Sequence, residues 1–233
     1  MQITTTTLTR AAGLAAVVSG SLFIAVQVKH PEITLDFVTT TQWKIRQGMK
    51  VAMATLALAG VAGMYLRQVR QMGVLGLVGW LLLSLGYLVM LCVETIGMIV
   101  VPAIAASSPE YVSGVVAVAT NAGSTADLGL FPVLSALVAV GYLLGGLVFG
   151  IALFRARVLA RWAAALLVVA AVATAAIPLL PMVNQRLFAV PNGIAMIGLG
   201  WSLWREHRFA TTESTTPVTA STAGASFDRA GTR

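Results

Sequence analysis

The chain has 233 residues, of which 58% are hydrophobic and only 10% are charged, and its formal net charge at pH 7 is +7. Soluble domains carry roughly 25% charged residues, so this chain has too few charges to cover a surface in water. Its positive residues stand at the ends of apolar runs and form no basic face, which excludes nucleic-acid binding. With Cys92 as the single cysteine and only two histidines, the sequence offers no disulfide and no ligand set for a metal, and we expect no cofactor.

Six apolar runs predict an all-α fold, a polytopic transmembrane bundle of six helices within residues 1–208. The predicted spans are about 11–28, 47–66, 74–102, 128–154, 159–180 and 187–204. The first run could be a signal peptide, but it is long and no A-x-A site precedes Lys29, so we interpret it as a retained helix. Residues 209–233 are rich in Thr, Ser and Ala without an apolar period, which predicts a disordered cytoplasmic tail.

The distribution of Lys and Arg predicts the orientation of the bundle, because these residues are enriched in cytoplasmic loops. With the N-terminus inside, eight of them lie near inner helix ends, namely Arg10, Arg67, Arg70, Arg155, Arg157, Arg161, Arg205 and Arg208. Five lie on the outer side, namely Lys29, Lys44, Arg46, Lys50 and Arg186. Both termini are therefore predicted to be cytoplasmic, in the plasma membrane of a bacterium whose GC-rich genome would explain the excess of Arg over Lys, 12 to 3.

The segment 107–127 between the third and fourth spans is longer than a simple turn. Its Ser108-Pro109-Glu110 sequence is typical of a helix start, with a capping residue, a proline in the first position and an acid in the first turn. The apolar run that follows, 112–119, is too short to span a bilayer. The segment therefore predicts an interfacial helix over the outer mouth of the bundle, with a simple loop as the equal alternative.

Glu94 is the only charged residue between positions 74 and 106, the most apolar part of the chain. A tight turn between the second and third spans makes them an antiparallel hairpin, in which Glu94 lies level with Gln47 and within one helical turn of Lys50 in height. By the helical rise this places Glu94 in the outer leaflet or at its boundary. The residue is either half of an ion pair with Lys50 that clamps the two helices, a functional acid or ligand-binding group, or a side chain that reaches out to the headgroups.

Other polar residues are predicted at the same level, which indicates a small polar pocket in the outer half of the bundle. The candidate pocket or ion-pair residues beside Glu94 are Lys50, Arg46, Gln47, Asn192, Gln27 and Arg186. Glu94 and Asp127 are the candidate carboxylate pair for acid chemistry, should the protein be an enzyme. The sequence has no GxSxG, HExxH or GxxxxGK[ST] signature.

Two stretches carry a resemblance, FRARVLARWAAALL at 154–167 and RLFAVPNGIAMIGLGWSLWR at 186–205. They resemble small multi-pass membrane proteins common in actinobacteria, in which a loop of the form fRagvLpRWaa and a last helix of the form P-G…lGyxLWR recur. The resemblance implies a multi-pass helical fold with this topology and implies no activity. Ala160 stands where that loop usually has a proline, and we expect this departure to affect only the turn.

Three classes of function are compatible with the sequence. The first is a non-enzymatic membrane component, such as an accessory protein, a sensor or an assembly partner. The second is a membrane-embedded enzyme that acts on a lipid or isoprenoid, since small integral-membrane terpene cyclases are of similar size and use intramembrane carboxylates as proton donors. The third is a small permease that works as an oligomer. The expected partners are the lipid bilayer, a second copy or another membrane protein, and a lipid or isoprenoid ligand.

Overall fold

A computed structural model describes residues 4–120, 122–175 and 189–213 of the chain. All regular structure in these residues is helical, which confirms the all-α prediction. The helices are α1 (Thr5–Gln27), α2 (Leu35–Val38), α3 (Thr41–Arg67), α4 (Val69–Ile104), α5 (Pro109–Ala119), α6 (Phe131–Ala156), α7 (Arg161–Ala175) and α8 (Ala189–Glu213). The predicted spans 159–180 and 187–204 are thus described in part. Of the predicted tail 209–233, residues 209–213 continue α8 and the remainder lies outside the described residues.

Four of the described helices are long and apolar enough to cross a membrane, namely α1, α3, α4 and α6. The described part of α7 is a shorter apolar helix of 15 residues. Length and composition therefore indicate a membrane protein, as the hydrophobicity of the sequence predicts.

Threonine residues begin three of the helices. The side chain of Thr4 accepts a hydrogen bond from the backbone N–H of Thr7 at the start of α1. Thr34 and Thr40 accept from backbone N–H groups three residues onward, at the starts of α2 and α3. Each threonine thus satisfies one of the N–H groups that a helix start leaves without an internal partner.

Six helices form a closed ring in the order α1, α3, α4, α6, α7, α8, with α8 packed again on α1. The ring follows chain order, since consecutive elements are usually neighbours in space. Its interior is one continuous apolar core that includes Met64, Leu83, Phe149, Leu167 and Leu199. The described residues therefore form a single bundle. Because its interior is apolar, polar groups are expected mainly toward its ends.

The two short helices α2 and α5 cover one end of the ring. They share a second apolar core with the adjoining ends of α3 and α4, formed by Phe37, Val38, Trp43, Val101, Ala105, Val112, Val115 and Leu128. Helix α5 begins at Pro109 with Glu110 in its first turn, so the simple-loop alternative for this segment is wrong. The predicted helix over the mouth of the bundle is present, and it packs through its valines.

Glycines bring helix backbones into direct contact around the ring. A Cβ atom placed on Gly86 of α4 would lie 2.7 Å from the backbone N of Tyr142, and one on Gly141 of α6 would lie 2.9 Å from the Cα of Gly86. Gly13 and Gly200 make a similar contact between α1 and α8. Such close approach is typical of helices in lipid, where van der Waals contact replaces the hydrophobic drive of water.

A glycine also sets the connection between α3 and α4. Gly73 has φ 56° and ψ −150°, a conformation that other residues adopt only with strain, and it interrupts the regular helix. The regular part of α4 therefore begins at Val74, the predicted start of the third span. The chain thus turns tightly from α3 into α4, as the predicted hairpin requires.

Ala160 has a role beyond the turn between α6 and α7. Its backbone N–H donates a hydrogen bond of 3.0 Å to the hydroxyl of Ser202 in α8. A proline has no N–H and could not make this bond. The expectation that this departure affects only the turn is wrong, because the alanine links the turn to α8.

Adjacent glycines on α6 test the backbone contact with α4. Gly145→Ala would place its Cβ against the backbone of Leu83, whereas Gly146→Ala would place it in ordinary contact with Ala171 at 3.4 Å. Both changes favour the helix by up to about 1 kcal/mol. We expect Gly145→Ala to lower the free energy of unfolding in detergent by about 1–3 kcal/mol through overpacking. Gly146→Ala should be neutral or stabilising, and equal stability of the two variants would contradict the contact.

Candidate functional site

The α3–α4 hairpin brings three polar side chains together toward its open end, away from the turn. Gln47 Nε2 donates a hydrogen bond of 2.7 Å to Glu94 Oε2, and Lys50 Nζ lies 3.2 Å from the same oxygen. About one turn further along the two helices, Trp43 Nε1 donates to the carbonyl oxygen of Gly97 at 2.8 Å. This is the register expected from the tight turn, with Glu94 level with Gln47 and Lys50 one turn away.

The ion pair is mostly enclosed by protein. The Lys50 and Glu94 side chains are 20% and 17% exposed, and Gln47 is buried. A carboxylate removed from water needs a cation and hydrogen-bond donors close to it. Here one oxygen of Glu94 receives both, which accounts for a charged residue in this apolar helix.

A cavity of about 270 Å³ lies against this ion pair. Its polar wall consists of Gln47, Lys50, Glu94 and Ser135. The rest of its wall is apolar and comes from the loop before α2 and from α3, α4, α5 and α6, with Ile33, Trp43, Met90, Val93, Gly97, Val101, Val115, Val116, Val118, Ala119, Phe131 and Val138. An apolar cavity with a few polar groups at one place is the usual form of a small-molecule site.

The crossing of α4 and α6 determines where the cavity forms. The two backbones touch at Gly86 and Gly141, and the cavity lies further along α4 and toward the start of α6. Below it the Tyr87 ring packs edge-on against Tyr142, with the ring centroids 5.9 Å apart. The aromatic pair closes the interior on that side, and α5 covers the cavity on the other.

Part of the polar wall has unused capacity for hydrogen bonds. Lys50 Nζ has three donor hydrogens, and its one hydrogen bond within the described residues is to Glu94 Oε2. Among the residues that the structure describes, Glu94 Oε1 accepts no hydrogen bond, and Gln47 Oε1 is buried without a partner. The wall can therefore both donate to and accept from a polar group in the cavity.

Arg46, a predicted pocket residue, serves another element. Its guanidinium donates to the carbonyl oxygens of Val26 at 2.6 Å, Lys29 at 3.0 Å and Val28 at 3.2 Å. The last carbonyls of a helix lack internal partners and carry partial negative charge, so they attract a cation. Arg46 thus ties the end of α1 to the start of α3 and does not line the cavity.

Asn192 and Gln27 also lie away from the cavity wall. Asn192 on α8 is 2% exposed and its side chain interacts with Tyr87, in the bundle interior below the cavity. Gln27 is the last residue of α1 and is partly exposed. Neither residue lines the cavity beside Glu94. Arg186 lies outside the described residues.

The structure does not bring Asp127 to Glu94. Asp127 is exposed in the loop before α6, and its Oδ1 accepts a hydrogen bond of 3.0 Å from the backbone N–H of Gly129. A short carboxylate side chain in a turn readily bonds to the backbone two residues on. Asp127 thus bonds within its own turn and does not line the cavity beside Glu94, so the structure does not show the predicted carboxylate pair. The described residues also contain no group of three or more His, Cys, Asp or Glu side chains that could hold a metal ion.

The cavity walls on α5 and α6 were not predicted as part of the site. On α5 the apolar residues recur at the spacing of one helix face, namely Val112, Val115, Val116 and Ala119. This spacing indicates a helix face that packs inward, so it could have been used to predict the α5 wall. On α6, Ser135 stands in a uniformly apolar helix, and the sequence offers no signal for its direction.

Neither a protein-family model, nor a curated protein, nor a solved structure matches this chain. The residues of the site and their geometry are therefore the basis of the proposed function.

A double-mutant cycle tests the ion pair. Lys50→Met leaves Glu94 without its cation, and Glu94→Gln leaves Lys50 without its anion, so each should lower the apparent melting temperature in detergent. The double variant should regain most of the loss, with a coupling free energy of about 1–3 kcal/mol, between the values for exposed and buried pairs. Additive effects of the two changes would contradict a direct interaction.

Proposed function

We propose that the protein is a non-enzymatic, multi-pass component of the bacterial plasma membrane that binds an amphiphilic molecule in the outer half of its helical bundle. The observation that carries this proposal is the cavity of about 270 Å³, whose wall is apolar except at the Lys50–Glu94 pair and its two polar neighbours. A molecule with an apolar chain and one polar end matches such a wall. In a membrane, lipids and isoprenoids are molecules of this kind.

The chemistry of Glu94 supports binding over catalysis. A proton donor must carry a proton and have access to the reacting atom. Glu94 Oε2 instead accepts from both Gln47 and Lys50, which is the arrangement of a carboxylate held as an acceptor. With Asp127 engaged in a turn, no second carboxylate among the described residues lines the cavity.

The packed interior supports a binding component over a permease. Below the cavity, Tyr87 and Phe149 are at most 1% exposed, and Phe23 stacks on Tyr142 across the ring with centroids 6.1 Å apart. A carrier needs a substrate site that opens alternately to both sides. A cavity at one end of a filled core fits a molecule that enters and leaves from the same side.

The proposed topology has six membrane crossings, with both termini cytoplasmic. Beyond the four candidate spans, α7 and α8 complete the ring between α6 and α1, and neighbours in one ring share one bilayer. The excess of Arg near the opposite end of the bundle from the cavity supports this orientation. The cavity then lies in the outer half, beneath α5.

Cysteine labelling tests the topology. In a Cys92→Ser background, Ser107→Cys lies beyond the end of α4 near the cavity, and Gln71→Cys lies near the α3–α4 turn at the other end; both positions are exposed. A membrane-impermeant maleimide applied to intact cells should label Ser107→Cys, and should label Gln71→Cys only after permeabilisation. The reverse pattern would overturn the proposed orientation.

Paired tryptophan variants on α6 test binding in the cavity. Val138 lines the cavity, whereas Val140 is 51% exposed on the outside of the same helix. Val138→Trp should fill the cavity and reduce any amphiphile that copurifies in mild detergent by at least tenfold, as measured by mass spectrometry of the organic extract. Val140→Trp is the matched control and should retain it. Equal recovery from both variants, or a product that accumulates only when Glu94 is intact, would contradict the proposal.

A further inference from the structure

The polar wall of the cavity indicates which kind of polar end it accepts. We infer that the cavity binds the hydroxyl end of an uncharged lipid alcohol, with the hydroxyl beside the intact Lys50–Glu94 pair and the chain among the valines of α5 and α6. This inference rests on the proposed function, because it names the ligand class for the same cavity.

The charges in the wall favour an uncharged ligand. Lys50 and Glu94 are the charged residues that line the cavity, and they compensate each other at 3.2 Å. An anionic head, such as a carboxylate or phosphate, would meet Glu94, and an ammonium head would meet Lys50. Each would have to separate an enclosed ion pair before it could bind, which is costly away from water. A neutral group meets no such repulsion.

The hydrogen-bonding groups in the wall favour a hydroxyl among neutral polar groups. Glu94 Oε1 can accept a hydrogen bond, and Lys50 Nζ has donor hydrogens beyond the one directed at Glu94 Oε2. A hydroxyl donates one hydrogen bond and accepts others, so it can satisfy both residues at once. An ester, ether or ketone only accepts and would leave the carboxylate oxygen without a donor.

The position of Gln47 makes this polar site well ordered before a ligand arrives. Gln47 is 3% exposed, and its amide holds Glu94 Oε2 at 2.7 Å. The carboxylate therefore cannot rotate freely, and its second oxygen keeps one direction. Groups that are fixed in advance lose less conformational entropy when a ligand binds.

The volume of the cavity bounds the length of chain that it can enclose. On the same measure one enclosed water needs roughly 10–15 Å³, so about 270 Å³ has room for many water-sized groups. A straight-chain probe of about ten carbons lies within this bound. Val115, Val116 and Val138, with Phe131, offer the apolar surface against which such a chain can pack.

The experiment compares three probes that share a chain and differ in the head: 1-decanol, decanoate and decylamine. The full-length protein is reconstituted in phosphatidylcholine nanodiscs, and the shift of its melting temperature is measured against probe concentration. The Val138→Trp and Val140→Trp variants are titrated in parallel, so that binding in the cavity is separated from general effects on the bilayer. Binding in the cavity is taken as the part of each melting-temperature shift that is lost in the Val138→Trp variant and kept in the Val140→Trp variant.

We expect 1-decanol to bind in the cavity at least tenfold more tightly than decanoate or decylamine. The Lys50→Met, Glu94→Gln double variant should bind 1-decanol less tightly, because its wall no longer offers the lysine donor and the carboxylate acceptor to the hydroxyl. If decanoate or decylamine binds in the cavity as tightly as the alcohol, the inference is overturned while the proposed function stands. If Val138→Trp changes the response to none of the three probes, both are overturned.

Discussion

The direct contact between the backbones of α4 and α6 is the constraint on which the site depends. Gly86 and Gly141 allow the two helices to touch, and a side chain at either position would separate them. Helices in lipid associate mainly through such contacts, since apolar side chains gain little by leaving one apolar medium for another. The contact lies below the site. Beyond the contact the cavity lies between α4 and α6, and α5 covers this cavity.

The cost of burying charge explains how the described charged residues near the cavity end of the bundle are distributed. Lys50, Glu94, Arg46 and Asp127 each have a local partner. Lys50 and Gln47 serve Glu94, Arg46 serves the end of α1, and Asp127 serves its own turn. An unpaired charge in the hydrocarbon region is costly, so these charged groups bond to what is nearest to them. Residues at the same height in the membrane therefore need not converge on one site, and here only the first group does.

Much of the fold and one contact of the site could be predicted from the sequence. The ends of the apolar runs agree with most helix ends, but α1 and α3 begin at Thr5 and Thr41, before the predicted 11 and 47, and α8 continues to Glu213, beyond the predicted 204. The register of Gln47 with Glu94 followed from the length of the α3–α4 turn alone, because the helical rise is fixed. The helix in the segment 107–127, one of two equal alternatives from the sequence, has the predicted Pro109 and Glu110 in its first turn, but the Ser108 side chain makes no capping hydrogen bond.

The remainder depends on rotations and crossings that a single sequence does not encode locally. Arg46 is one turn from Lys50, yet its guanidinium turns to carbonyl oxygens that α1 supplies from another part of the chain. The cavity exists because of where two helices cross, and Ser135 and Val138 join its wall only through that crossing. Ala160 was expected to matter for its turn, and its bond to Ser202 depends on the distant packing of α8.

Cryo-electron microscopy of the protein in lipid nanodiscs would test the central claim most directly, namely that an amphiphile binds in the cavity beside the Lys50–Glu94 pair. The account predicts elongated density in the cavity that ends at the Glu94 carboxylate, with Lys50 Nζ within about 4 Å of it. A cavity closed by α5 packed directly on Glu94, with Lys50 turned toward the lipid headgroups, would contradict the account.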